Sequence, residues 1–129
     1  MIVDSSAMLA VIKRELDWQA LSDRMDSADS LRMSVASYLE TSIVLDSRRD
    51  PVMSVGLDDL IEDMNMVIEP VTVAQAKIAR QAYRDYGKGN GHPASLNFGD
   101  CFTYALAHEK REPVLYKGDD FGHTDLRPA

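Results

Sequence analysis

A chain of 129 residues, 45% hydrophobic and 27% charged, is long enough to bury one sizeable core and has the composition of a globular protein. No apolar run approaches the roughly 18 residues that cross a bilayer, and the single cysteine, Cys101, excludes an internal disulfide framework and a Cys-rich zinc site. The formal net charge of −7 argues against a general electrostatic nucleic-acid binder but not against a nucleic-acid enzyme whose acids hold metal ions, and it suits a basic protein partner.

Met1-Ile2-Val3 reads as a short buried strand, and Asp4 follows it directly. That leaves no room for a basic leader and apolar signal core, so a cytoplasmic protein is expected. From Ser5 to about Lys13 the spacing of Met8, Leu9 and Ile12 predicts a helix. Asp17 begins a second helix, with Trp18, Leu21 and Met25 on one face. Leu31-Arg32-Met33 is a brief strand, after which Ser34 caps a helix whose apolar stripe is Val35, Leu39, Ile43 and Val44. Asp50-Pro51 opens another helix, continued by Leu57, Leu60, Ile61 and Met64. Residues 66–69 form a strand stopped by Pro70. Thr72 then caps a helix over 73–86 that Gly87 ends. Gly89, Gly91 and Pro93 make 88–97 a loop. A helix runs from Phe98 to about Glu109, residues 114–116 are a strand, and the last residues form a final short one. The alternation predicts an α/β fold, with helices sandwiching a parallel sheet of four to five short strands, in one domain over 1–129.

Four acids stand out against this frame: Asp4, Glu40, Asp100 and Asp119. Strand ends and helix starts gather at one edge of an α/β sheet, where such folds carry their sites. Carboxylates brought together there repel by about 4 kcal/mol per pair at about 4 Å and an effective dielectric of about 20, a conflict that a divalent cation removes. Each acid also has a plainer role. Asp4 suits the N-cap of the helix beginning at Ser5. Asp100 is the acid three residues after a capping Asn97. Asp119 and Asp120 are adjacent loop acids. Glu40, whose helical neighbours are Ala36, Ser37, Ile43 and Val44, is expected to face the apolar side, where a carboxylate needs a partner or a metal. Ser6 is placed to orient Asp4 or a bound water, or else is a plain helix-start serine, and Lys117, Arg48, Arg49 and Lys88 are solvated surface charges or phosphate contacts. Cys101 reads as a buried, inert thiol, the methionines as core, and the three histidines have no metal-type spacing.

The segments IVDSSAMLA, ASYLETSIVL, LNFGDCFTYALA and PVLYKGDDF, taken together and in this order, resemble PIN-domain ribonucleases over essentially the whole chain, and most nearly the VapC-type toxins of bacterial toxin–antitoxin pairs. The resemblance implies a PIN-like α/β/α sandwich and an endoribonuclease that uses Mg2+ or Mn2+ to hydrolyse RNA. On the matching positions, Asp4 and Asp100 are the principal metal ligands. Glu40 is a ligand or an assisting base, and Ser6 is the hydroxyl of the opening motif. Many family members carry threonine-x-Asp/Asn in the last segment, whereas this chain reads Tyr116-Lys117-Gly118-Asp119-Asp120. Asp119 is therefore assigned as the fourth acid, with Asp120 as its rival. The resemblance also implies a homodimer and a separately encoded basic antitoxin. The alternative is a catalytically silent PIN-like module that binds protein or RNA. A haloacid-dehalogenase-like phosphatase would need an aspartate where Ser6 stands, and a receiver-like module would need a phosphoacceptor where only Glu69 is offered.

Overall fold

The first three strands are each followed by two helices, as the sequence pattern requires. In the computed structural model, which describes residues 1–129, the order is β1 (Ile2–Val3), α1 (Ser5–Ile12), α2 (Trp18–Asp26), β2 (Arg32–Ser34), α3 (Val35–Asp46), α4 (Pro51–Asp63), β3 (Val67–Glu69), α5 (Val73–Tyr86), α6 (Phe98–Lys110) and β4 (Val114–Leu115). The helix starts are set by short polar side chains. Asp4, Ser34, Asp50 and Thr72 each accept a backbone N–H of the first turn, while Asn97 and Asp100 form a reciprocal capping box on α6.

The sheet is parallel throughout, in the order β3-β2-β1-β4. β1 sits in the middle, with Ile2 opposite both Arg32 and Val114. Alternation across the strands builds two cores. Val3, Met33 and Leu115 face a cluster with Ala7, Met8, Leu45 and Leu57 from α1, α3 and α4. Ile2 and Val114 face the other cluster, with Ala82, Leu96 and Leu106 from α5, α6 and the loop between them. The chain runs outward from β1 to β2 and β3, then crosses back to place β4 on the other side of β1. The carboxyl ends of β1 and β4 therefore flank the point where strand order reverses, the usual place for a site in such sheets.

Three details depart from the sequence reading. The expected last strand is reduced to one parallel bridge between Val114 and Pro128, because a proline has no N–H with which to extend the ladder. Gly87 ends α5 in an extended rather than a left-handed conformation. A glycine fits there because a Cβ would overlap the Tyr83 carbonyl oxygen and ring. The largest correction concerns α3. Its apolar stripe does not face the core: Val35, Leu39 and Ile43 are 41%, 58% and 59% exposed, and Glu40 is exposed with them. The buried face is instead Ser37, Thr41 and Leu45. Small hydroxylated residues can bury here because their polar atoms are paired. Thr41 donates to the Ser37 carbonyl at 2.8 Å, Ser5 donates to the same oxygen at 3.3 Å, and Ser37 bonds Thr103 across the helix interface.

Candidate active site

Asp4 leaves β1 at its carboxyl end and is buried, with 4% of its surface exposed. Its two oxygens are held separately. Oδ2 accepts the Ser6 backbone N–H at 2.9 Å and the Ser6 hydroxyl at 2.6 Å, while Oδ1 accepts the Thr103 hydroxyl at 2.6 Å. The capping role and the site role fall on the same carboxylate. The donors are themselves held: the Lys117 backbone N–H donates to the Ser6 hydroxyl oxygen at 3.0 Å, and Ser37 and Thr103 share a contact of 3.2 Å. Residues from α1, α3, α6 and the loop after β4 thus meet around one carboxylate, a network that fixes its orientation.

Asp100 occupies the third position of α6. Its Oδ2 accepts the Asn97 backbone N–H at 2.9 Å, and its own N–H donates to Asn97 Oδ1 at 2.9 Å. Burial pushes its carboxyl up to about 7 in spite of the Asn97 bond, and the charges of Asp4, Asp120 and Glu40 push it the same way. Those three acids are near enough to act on Asp100, which brings together the end of β1, the middle of α3, the start of α6 and the loop after β4. Glu40 reaches the site although its helix face is exposed. Its carboxylate lies against the Cα of Gly99, where a Cβ would overlap it. Of the two loop acids, Asp120 adds its charge to those that raise Asp100. Asp119 instead precedes the short 3-10 turn Asp120–His123 without a side-chain bond to it.

Other candidates are placed elsewhere. The Lys117 ammonium pairs with Glu15 and Asp17, so this residue serves the site through its backbone N–H. Cys101 is buried, donates to the Asn97 carbonyl oxygen, and has its thiol pushed up to about 11 by burial and by Asp100, as expected of an unreactive cysteine. The pattern reading did not single out Thr103, Ser37 or Gly99. A usable signal was present, since Thr103 follows Asp100 by three residues and Ser37 precedes Glu40 by three. Each is therefore a polar residue one turn from an acid on the same helix.

No group of three or more His, Cys, Asp or Glu side chains is close enough to chelate a metal ion unaided. The donor set is nevertheless all oxygen. It suits a hard cation such as Mg2+, which keeps several waters and needs only one or two carboxylates. Asp100 is raised mainly by burial and further by the charges of Asp4, Asp120 and Glu40, and such a cation would offset both.

A parallel α/β/α sandwich with an acidic site at the reversal of strand order defines a class of protein, and comparison with known sequences gives the family. The PIN domain family model matches residues 1–126. This chain belongs to the PIN domain family, as a VapC-type member. It is 58% identical over 129 residues to "Ribonuclease VapC28" of Mycobacterium tuberculosis and equally to "VapC ribonuclease Mb0625" of Mycobacterium bovis, covering all of this chain and 97% of each relative. It is 46% identical to "Ribonuclease VapC42" of Mycobacterium tuberculosis, over all of this chain and 98% of that one. Among solved structures it resembles VapC20 of Mycobacterium tuberculosis, described as a sarcin–ricin loop cleaving toxin, with a TM-score of 0.72, 18% identity and 98% of each chain covered. That likeness speaks to the fold. No helix is long and apolar enough to cross a membrane.

Proposed function

We propose that this chain is an endoribonuclease that hydrolyses RNA phosphodiester bonds with Mg2+ or Mn2+. It acts in the cytoplasm as the toxin of a toxin–antitoxin pair and is held inactive by a basic antitoxin. The relatives' names support RNA as substrate. The observation that carries the reading is the Glu40 carboxylate lying against Gly99, next to an Asp100 carboxyl raised to about 7 by burial first and then by the charges of Asp4, Asp120 and Glu40.

Asp4 and Asp100 are the residues that would hold the cation, and Asp120 rather than Asp119 is the fourth acid, contributing through water. When bound, the cation would supply Lewis-acid stabilisation of the phosphate and activation of a water. The chain's own groups do the rest. Ser6 and Thr103 aim the Asp4 carboxylate at the site from opposite oxygens. The Asn97 N–H leaves only Asp100 Oδ1 free to face outward. Glu40, exposed and lying over Gly99, accepts the proton of the attacking water. The exposed stripe of Val35, Leu39 and Ile43 is apolar surface available to a homodimer or to the antitoxin.

The test is cleavage of RNA by the purified, antitoxin-free protein with Mg2+ or Mn2+, against EDTA and an Asp4→Asn control. Metal-dependent cuts lost in the variant are the expected result. A folded protein that cuts no RNA with either metal would overturn the reading in favour of a silent binding module.

A further inference from the structure

We infer that the groove between α5 and α6 seats the single-stranded RNA leading into the acidic site. This rests on the ribonuclease reading and adds to it the residues that hold the substrate. The groove has a volume of about 720 Å3. Arg80, Arg84 and Lys88 edge it, and Tyr83, Phe98 and Phe102 supply its aromatic wall. No acid lines it, in a chain with 21 Asp and Glu against 14 Lys and Arg. None of its three cations is in an ion pair; those of the chain use Arg32, Lys110, Lys117 and the amino terminus.

Arg80 and Arg84 lie one helical turn apart on α5, so their like charges are adjacent and uncompensated within the chain. Beside them Phe98 is 79% exposed and packs edge-on against Phe102 at 4.9 Å between ring centres. A ligand that pairs with a row of cations and also covers flat apolar rings must combine anions with planar groups. Unpaired nucleotides do this, with phosphates on the cations and bases on the rings. A duplex would offer the phosphates but keep its base faces stacked. A second copy of this chain, docked by the same face, would bring two sets of cations together with no acid between them.

The groove also points the right way. Asn97 lines it while its backbone N–H bonds the Asp100 carboxylate, and Phe98 adjoins Gly99, on which Glu40 lies. A strand in the groove is thereby led to the acids. The net charge of −7 conceals this footprint, because none of the acids that set it lines the groove.

The experiment measures binding of a short, labelled, unstructured RNA in Mg2+ by the intact protein carrying Asp4→Asn, so that the RNA is not cut. Substituting Arg80, Arg84 and Lys88 together by Gln should weaken binding at least ~10-fold and flatten the dependence of log affinity on log salt by about 2, at roughly 0.7 per phosphate contact. Phe98→Ala should weaken it about 5- to 100-fold with the salt slope kept, while Lys13→Gln, outside the groove, should change neither. Unchanged affinity in both groove variants overturns the proposal, as does a loss of binding that accompanies conversion of a dimer to a monomer in sedimentation. Wild-type cleavage, assayed in parallel, separates the two levels. If the wild type cuts RNA but the groove variants bind normally, only the groove assignment fails; if the wild type neither cuts nor binds RNA, both fail.

Discussion

Replacing Asp100 by Asn removes a half-buried charge while keeping the shape of the side chain. The amide oxygen can still accept the Asn97 N–H that Oδ2 accepts now. The carboxyl is raised from its ordinary 3.8 to about 7 by burial and by Asp4, Asp120 and Glu40. Taken at about 1.4 kcal/mol per tenfold change in proton affinity, that is a ceiling of about 4 kcal/mol against folding once the group is ionised. Asp100 is only half-buried, so solvent screening reduces this to about 1–2 kcal/mol, and loss of the acid from the helix N-terminus returns a few tenths. Because the folded value lies above the unfolded one, the native protein holds the proton more tightly. The protonated form's advantage is complete below about pH 4 and is lost as the pH rises through 7. Asp100→Asn should therefore raise the melting temperature of the metal-free protein at pH 8 by about 3–8 °C, with the gain shrinking as the pH falls from 7 toward 4. Mg2+ should stabilise the wild type at pH 8 and leave the variant almost unmoved. Calorimetric or fluorescence melts over pH 4–8, with and without Mg2+, provide the measurement. A folded variant no more stable than the wild type at pH 8 would refute the reasoning, since it would mean that burial and the neighbouring acids do not make the ionised Asp100 costly.

Thr103→Val leaves Asp4 Oδ1 without its buried donor and should cost about 1–3 kcal/mol of stability. It should also lower RNA turnover at least ~10-fold, and Thr103→Ser should restore both, as melts and single-turnover cleavage will show. Gly99→Ala should leave stability unchanged or slightly improved, since alanine is the better helix former. It should nonetheless cut turnover by displacing Glu40, the flexible side chain that a Cβ there would strike; full activity would remove Glu40 from the mechanism. Asp120→Asn should lower the apparent affinity for Mn2+ in calorimetry more than Asp119→Asn does, because the charge of Asp120 is one of those that raise Asp100.

The helix starts and the order of the elements were legible in the sequence, because each is a local matter. A short acceptor side chain before a helix, the apolar run Met1-Ile2-Val3 at β1 and glycines through the loop act within a few residues of where they stand. Three of the acids that meet, Asp4, Glu40 and Asp100, could be named for the same reason, since each stands at the end or on the face of an element. The orientation of α3 could not be read in this way. Its apolar stripe suggested a buried face, yet the core takes Ser37, Thr41 and Leu45. Only the three-dimensional arrangement shows that Ser5, Thr41 and Thr103 pair with Ser37 and make a polar face cheap to bury. The same holds for Asp119 and Asp120, which are equivalent along the chain. In the fold Asp119 precedes the short 3-10 turn and Asp120 opens it, with the charge of Asp120 among those that act on Asp100 some twenty residues away in sequence. Local propensities decided which elements exist, and long-range pairing of buried polar groups decided which faces meet.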